Sequence, residues 1–328
     1  MHLYKQKPPI IKSVKNSSNT VVGSEAIVVE QLTKRYGELV AVDHVSFTVR
    51  EGEVFSLLGP NGAGKTTTVE MLECLRTPDS GDAYIKGLSI RDPSNVQRIK
   101  KLIGVLPQEF NAVENLSIYE NVELAAAAKQ SKDVKEVLDA LGLWDIRGRM
   151  FGKLSGGLKR KVGIAMALVG NPEIVFLDEP TTGLDPQARR ETWLYIKRLK
   201  QSGVTVVLTT HYMEEAEKLS DHVTIIVKGR IAVQGEVKQL INQHGEKAKL
   251  LFEELDDHVQ NVLKEKGYEA NVRGHVIVKI EKESDLYDVL SILRETGSDA
   301  YPEIRRAGLE DVFLKVIGSK LSETGELI

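Results

Sequence analysis

The sequence predicts an α/β fold with a largely parallel sheet, followed by a smaller α+β domain. Short β-branched segments alternate with helical segments over most of the chain. One strand candidate, at 174–177, is uniformly apolar, which is typical of a strand buried on both faces. A glycine-rich loop joins another strand candidate, at 53–58, to a predicted helix. With 328 residues, the chain is long enough for one larger and one smaller domain.

Composition limits the classes of protein to consider. Hydrophobic residues make up 41% and charged residues 28%, as in ordinary soluble globular proteins. The formal net charge of -3 gives no support to a nucleic-acid partner. The single cysteine, Cys74, cannot form an internal disulfide, and we expect a buried structural thiol. No apolar run reaches the roughly 18 residues of a spanning helix, and the start of the chain lacks a signal-peptide core, so we expect a cytoplasmic protein.

Residues 1–25 mix Pro, Ser, Asn and Lys without periodicity and predict a flexible tail. A first domain is expected over residues 26–245. Its predicted strands lie at 27–32, 45–49, 53–58, 83–86 and 103–106, with a helix around 94–101.

A helical subdomain is expected at about 112–170. Ser117 and Glu120 have capping-box spacing, and strong helix formers follow them. Alternation of helix and strand then returns. The predicted elements are a helix after Ser155, a strand at 174–177, a helix at 188–202, a strand at 204–209 and a hairpin at 223–233.

The remaining residues, 246–328, predict an accessory α+β domain of ferredoxin-like character. Strand-like runs at 250–252 and 275–280 alternate with helical runs at 259–266 and 286–295.

The glycine-rich loop at residues 59–66 fits the pattern G-x-x-x-x-G-K-[ST], between a predicted strand and a predicted helix. Its glycines allow backbone N–H groups to surround phosphate oxygens, and the helix N-terminus favours an anion. Lys65 would reach the β- and γ-phosphates, and Thr66 would ligate Mg²⁺. The sequence therefore predicts a nucleotide phosphate site here.

Two carboxylates, Asp178 and Glu179, end the apolar strand predicted at 174–177. Asp178 is the candidate for the magnesium side of a phosphate site. Glu179 would orient or deprotonate a water that attacks the γ-phosphate. Alone, this pair would be a solvated turn, but together with residues 59–66 it predicts hydrolysis.

A third motif, Leu-Ser-Gly-Gly at residues 154–157, opens a helix and could bind an anion or be an ordinary helix cap. Between the glycine-rich loop and the Asp178-Glu179 pair, it resembles the signature of ABC ATPase domains. The resemblance covers residues 27 to 235. It implies a P-loop NTPase core of the ABC ATPase type, with an antiparallel β subdomain and a helical insertion.

The resemblance also implies roles for residues that local patterns leave open. Tyr36 matches the aromatic that stacks on adenine, and Gln108 matches the glutamine that touches Mg²⁺ and the attacking water. Asp185 lies in the loop that couples two sites, and His211 matches the histidine that contacts the γ-phosphate. Leu158 departs from the family pattern, which often has a polar residue there.

The complete set of expected site residues follows. The catalytic residues are Glu179, His211 and Gln108, and the metal ligands are Thr66, Gln108 and Asp178. The ATP-binding residues are Tyr36, Gly59, Pro60, Asn61, Gly62, Ala63, Gly64, Lys65, Thr66, Thr67, Ser155, Gly156, Gly157 and Asp185.

In this family two nucleotides lie between two ATP-binding domains. The resemblance therefore implies ATP and Mg²⁺ as cofactors and an integral membrane permease as a partner. It also implies a second ATP-binding subunit, which would be another copy of this chain in a homodimer or a related chain. The chain would hydrolyse ATP to power transport from the inner face of the cell membrane. Residues 308–316 resemble the closing segment of subunits in the drug and polysaccharide exporter branch, which favours export. The transported substrate is not predicted, because its contacts would lie in the permease.

Two alternatives are weighed. A soluble ABC ATPase acting on a macromolecular complex is disfavoured, because only one cassette is present and the spacing from Lys65 to Asp178 leaves no room for a long coiled coil. A P-loop kinase or GTPase would share residues 59–66 but would not explain residues 155–157. No Asn-Lys-x-Asp motif supports guanine specificity.

Overall fold

A computed structural model describes residues 24–244, 248–268, 270–272, 276–280 and 282–318. The tail predicted at residues 1–25 lies outside these ranges except for its last two residues. The chain divides into two compact units, one ending at Gln234 and the other beginning at Gly235. Among the described residues, no helix is both long and apolar enough to cross a membrane.

The first unit alternates strands and helices, and its last strand crosses the division. In chain order the elements are β1 (Glu25–Tyr36), β2 (Leu39–Arg50), β3 (Val54–Leu58), α1 (Lys65–Leu72), β4 (Ser80–Ile85), β5 (Leu88–Ser89), α2 (Val96–Leu102), β6 (Ile103–Leu106), α3 (Ile118–Ala128), α4 (Val134–Ala140), α5 (Gly156–Leu168), β7 (Ile174–Asp178), α6 (Pro186–Gln201), β8 (Thr205–Thr210), α7 (Met213–Leu219), β9 (His222–Val227) and β10 (Arg230–Glu236).

Two sheets form this unit. The larger has the order β10-β9-β3-β8-β7-β6, and its pairs β9-β3, β3-β8, β8-β7 and β7-β6 are parallel. The smaller has the order β2-β1-β4-β5 with antiparallel pairs. In the larger sheet, the carboxyl ends of β3, β6, β7 and β8 meet at one edge, where α/β sheets bind ligands.

The larger sheet separates two hydrophobic cores. Successive residues of a strand point to opposite faces. In β7, Val175 and Leu177 join the core beneath the helices, whereas Ile174 and Phe176 join the core beneath the antiparallel sheet. Every residue of β7 and β8 is buried, and β7 is a continuous apolar run up to Asp178. The strand burial predicted from the sequence is confirmed.

The helical segment predicted at about 112–170 contains α3, α4 and α5. The side chain of Ser117 accepts from the Glu120 N–H at 3.2 Å, and Glu120 accepts from the Ser117 N–H at 2.7 Å. This reciprocal pair is the predicted capping box, and it starts α3. The segment packs its apolar faces on the central sheet.

The second unit has a ferredoxin-like βαββαβ arrangement. Its elements are α8 (Val237–His244), β11 (Ala248–Phe252), α9 (Asp257–Glu265), β12 (Ala270–Val272), β13 (Val276–Ile280), α10 (Glu283–Glu295), β14 (Glu303–Arg306) and α11 (Leu309–Gly318). Its antiparallel sheet has the order β12-β13-β11-β14. The expected α+β fold is therefore found.

The division between the units falls earlier than the predicted boundary at residue 245. The helix α8 packs against α11, which groups it with the second unit. Leu309, Val312 and Val316 are buried on one side of α11. The amphipathic pattern at the end of the chain thus packs the accessory domain, as expected.

Candidate active site

The glycine-rich loop connects the end of β3 to the start of α1. Gly62 and Gly64 have φ values of +79° and +102°, which side chains strongly disfavour. A Cβ on Gly64 would lie 2.3 Å from the Ala41 carbonyl oxygen, and one on Gly59 would lie 2.2 Å from the Ile226 oxygen. The loop therefore needs glycine at these positions both for its turns and for its close backbone packing.

The helix α1 begins immediately after this loop. Its N-cap is Gly64, which offers no side-chain cap, and in this fully described helix the first turn carries no acidic residue. The positive end of the helix is thus left for an external anion. Thr66 and Thr67, in the first turn, are half-buried, and Thr68 is buried with its hydroxyl donating to the Gly64 oxygen at 2.8 Å.

Lys65 is only 5% exposed. Its ammonium group donates to the backbone oxygens of Gly59 at 2.9 Å and Pro60 at 3.0 Å. The Glu179 carboxylate lies 3.8 Å away. Burial lowers the pKa of Lys65, while Glu179 and Asp178 oppose this shift. The lysine is therefore held at the mouth of the loop, next to both carboxylates.

Asp178 ends β7 and is buried. It accepts hydrogen bonds from the hydroxyls of Thr209 and Thr66, the latter at 3.5 Å. Burial raises the pKa of Asp178. A carboxylate beside a hydroxyl suits one Mg²⁺ that takes its remaining ligands from phosphate and water. Among the described residues, no three His, Cys, Asp or Glu side chains gather to form a metal site without such outside ligands.

Glu179 follows at the end of β7 and adopts a left-handed backbone with φ +46°. Such a conformation costs about 1–2 kcal/mol in a non-glycine residue. Its N–H donates to the carbonyl and the hydroxyl of Thr209, each at 3.1 Å, which holds the unusual turn. The Thr182 hydroxyl donates to its carboxylate at 3.0 Å.

Gln108 and His211 converge on the same carboxylate. The amide nitrogen of Gln108 lies 3.5 Å from Glu179 Oε2, and Nδ1 of His211 lies 3.2 Å from Oε1. An ionised carboxylate only accepts hydrogen bonds, so the proton of a neutral His211 ring belongs on Nδ1. The structure thus brings together Lys65, Thr66, Gln108, Asp178, Glu179 and His211.

Other predicted residues lie apart from this cluster. Tyr36 is 41% exposed and has cations over its ring, with Lys34 Nζ at 5.9 Å and Arg76 Cζ at 5.6 Å. An exposed ring of this kind offers a flat face for stacking.

Ser155, Gly157 and Asp185 line a different groove, a cavity of about 280 Å³ between the N-termini of α5 and α6. Ser155 caps α5 by accepting from the Leu158 N–H at 3.4 Å. Asp185 caps α6 by accepting from the N–H groups of Gln187 and Ala188, both at 2.9 Å. Ser155 and Gly156 are exposed, and this second group of predicted residues therefore faces outward.

The tight approach of the two helices explains one glycine of the signature. A Cβ on Gly157 would lie 2.8 Å from the Ala188 Cβ. Leu158, the departure from the family pattern, is half-buried and packs against the helical core. Its apolar side chain thus has a packing role.

Sequence patterns do not point to two further residues near the cluster, the half-buried Arg160 and the buried Glu215. Arg160 donates from α5 to backbone oxygens at the ends of β6 and β7. Glu215, on α7, accepts from the Thr181 hydroxyl at 2.8 Å and from the Trp193 indole at 3.0 Å. Each hydrogen-bond partner is distant in sequence. The only local signal for Arg160 and Glu215 is therefore a charged residue in a helix that packs on the sheet.

Comparison with known proteins agrees with this geometry. A family described as ABC transporter matches residues 42–182. Nod factor export ATP-binding protein I of Ralstonia nicotianae is 36% identical over 315 residues, covering 92% of this chain and 97% of the relative. The doxorubicin resistance ATP-binding protein DrrA of Mycobacterium tuberculosis is 39% identical over 227 residues, covering 67% and 69%.

A solved structure of similar fold is the dimeric post-hydrolysis state of an ATP-binding cassette bound to ADP and Pi. Its TM-score is 0.58 at 29% identity, over 64% of this chain and 98% of that cassette. The predicted fold class is therefore confirmed. The chain belongs to the ABC transporter family, as one of its ATP-binding and ATP-hydrolysing subunits.

Proposed function

We propose that two copies of this chain close around two ATP molecules and that this closure powers export through a separately encoded membrane permease. The observation that carries the proposal is the division of the predicted ATP-binding residues between two places. The cluster around Lys65 and Glu179 is enclosed, whereas the groove of Ser155 and Asp185 is open. A second copy would bring its groove to the cluster of the first.

In this proposal the glycine-rich loop and Lys65 hold the phosphates of ATP. The uncapped start of α1 adds the positive end of a helix dipole. Thr66 and Asp178 would hold Mg²⁺, with the amide oxygen of Gln108 as a further ligand. When bound, the ion neutralises charge on the phosphate oxygens. Tyr36 would stack on adenine.

Glu179 acts as the base for hydrolysis. Its carboxylate receives a proton from a water molecule as the water oxygen forms a bond to the γ-phosphorus, and the bond from that phosphorus to the bridging oxygen of ADP breaks. ADP and inorganic phosphate are the products. The left-handed backbone and the contacts from Thr182, Gln108 and His211 support one orientation of the carboxylate.

The names of the relatives support export and attachment to a membrane permease. A protein named for Nod factor export aligns over nearly all of this chain, and a drug-resistance protein aligns over two thirds. We infer that this subunit lies at the inner face of the cell membrane, bound to the permease. The transported molecule belongs to the permease and is left unassigned.

The test is Glu179→Gln, which keeps size and hydrogen bonding but removes the base. ATP should still bind, hydrolysis should fall by a factor of at least about 100, and an ATP-dependent dimer should accumulate. Size-exclusion chromatography with light scattering, with and without Mg-ATP, measures the dimer. A phosphate-release assay measures hydrolysis.

Glu123→Gln on the exposed side of α3 is the matched control and should behave as the wild type. A Glu179→Gln protein that binds ATP, remains monomeric and hydrolyses at the wild-type rate would refute the proposal. If dimerisation requires the permease, the assay is repeated on the complex purified with it, where the same two results decide.

A further inference from the structure

Arg160 lies on α5, little more than one helical turn beyond Ser155. It is not part of any motif used above. Its guanidinium group nevertheless reaches the edge of the sheet at which Gln108 and Glu179 lie. The side chain is half-buried, and burial lowers the pKa of Arg160 to about 10, so the group stays charged at neutral pH.

The contacts of Arg160 are unusually numerous and all involve backbone. Its three nitrogens donate to the carbonyl oxygens of Pro107 (3.0 Å), Gln108 (3.2 Å), Asp178 (2.5 Å), Glu179 (3.0 Å) and Pro180 (3.1 Å). The first two acceptors follow β6, and the last three lie at the end of β7. One side chain therefore ties two loops to one helix.

Only arginine can make this set of contacts. Its planar fork carries five N–H donors in fixed directions, whereas lysine has three donors on one atom and glutamine has two. The Glu179 oxygen also accepts from the Thr182 N–H at 3.3 Å, but leaving any buried carbonyl oxygen without a donor is costly. The position of these loops therefore depends on the shape of the guanidinium group as well as on its charge.

We propose that Arg160 is a positioning residue, which sets Gln108 and Glu179 against α5 and so links the Ser155 end of that helix to the catalytic carboxylate of the same chain. The link to Ser155 rests on the proposed function, because Ser155 touches the ATP bound to the other copy only in the proposed dimer. Closure on one ATP would then align the base that acts on the other.

The main test is Arg160→Lys in the full-length chain, measured for kcat, KM and thermal unfolding. Lysine keeps the charge but loses the fork. We expect kcat to fall about ten- to a hundredfold, as for a misplaced catalytic group, while KM for ATP changes by less than about threefold. Arg198→Lys is the matched control, because Arg198 lies over the Tyr195 ring and makes no contact with these loops among the described residues.

A second variant separates positioning from simple instability. Arg160→Ala should be inactive and should recover part of its kcat when free guanidinium is added at a low, non-denaturing concentration. Ammonium at the same ionic strength should not restore it, because it lacks the planar fork. A wild-type kcat in Arg160→Lys, or equal effects of the two cations, would overturn the inference.

The link to Ser155 is tested by a double-mutant cycle on kcat with Ser155→Ala and Arg160→Lys. Coupled residues should give a combined loss smaller than the product of the two single losses. A combined loss equal to that product would overturn the link. If Glu179→Gln fails to bind ATP or to dimerise with the permease present, the proposed function fails. If it dimerises and Arg160→Lys is fully active, only this inference fails.

Discussion

The two helices that open with a phosphate-binding type of sequence, α1 and α5, begin in different ways. The first follows a glycine loop without a side-chain cap, and its Lys65 is buried beside two carboxylates. The second is capped by its own Ser155, which is exposed. One chain thus encloses the site at α1 by itself. At α5, Ser155 caps the helix within the same chain, and the site remains open to solvent. The difference supports the proposal that α1 binds the phosphates of ATP in its own chain and that α5 completes the site of a second copy.

The largest expected effect comes from Lys65→Ala at the enclosed site. Loss of a fixed cation that makes charge-assisted bonds to phosphate removes about 1.5–3 kcal/mol, which corresponds to a loss in ATP affinity of about tenfold to more than a hundredfold. Fluorescence titration with a labelled ATP analogue measures this loss. The exposed Lys197→Ala on α6 serves as the control. An unchanged affinity in folded Lys65→Ala would remove the contrast between the two sites.

The next prediction concerns the open site. Ser155→Arg in the Glu179→Gln background should prevent the ATP-dependent dimer, because a large side chain crowds the groove. Each subunit should bind ATP with an affinity within about twofold of the parent, since a distant, independent site contributes little. Light scattering and titration give the two values, with exposed Ser284→Arg as control. Loss of ATP binding by the single subunit would mean that α5 serves its own chain.

The smallest expected effect is that of Leu158→Gln. A half-buried leucine contributes about 1 kcal/mol by burial, so thermal unfolding should move down by a few degrees while ATP affinity is unchanged. Differential scanning calorimetry measures the shift. Leu124→Gln, at an exposed position of α3, should not lower the unfolding temperature. A stability equal to that of the wild type would argue that Leu158 has no packing role.

The enclosed site could be predicted from sequence because its main parts are local. Residues 59–66 define a loop by their own glycines, and the apolar run before Asp178 defines a strand and its end. The spacing of Ser117 and Glu120 likewise predicts the capping box from sequence alone. These patterns depend on neighbours within a few positions, which a single sequence displays directly.

Other features depend on contacts between distant parts of the chain. Arg160 donates hydrogen bonds to backbone oxygens at residues 107–108 and 178–180. Because every residue has a backbone oxygen, the residue types at those positions do not reveal these acceptors. The left-handed turn at Glu179 is held by Thr209, in another strand. The compact units divide before α8, whereas the sequence predicts a boundary at residue 245, because α8 packs on α11 far along the chain. Contacts between residues this far apart in sequence can be identified only in the folded structure.

The alternation of β7 and β8 between two cores has a consequence for how the first unit unfolds. Because neighbouring residues of one strand support opposite layers, neither layer can separate without exposing the strand on which the other rests. Amide hydrogens in the middle of β7 and β8 should therefore exchange with solvent only when the whole unit opens. The loops at the ends of these strands, including the turn at Glu179, are therefore anchored to a part of the sheet that opens only as a unit.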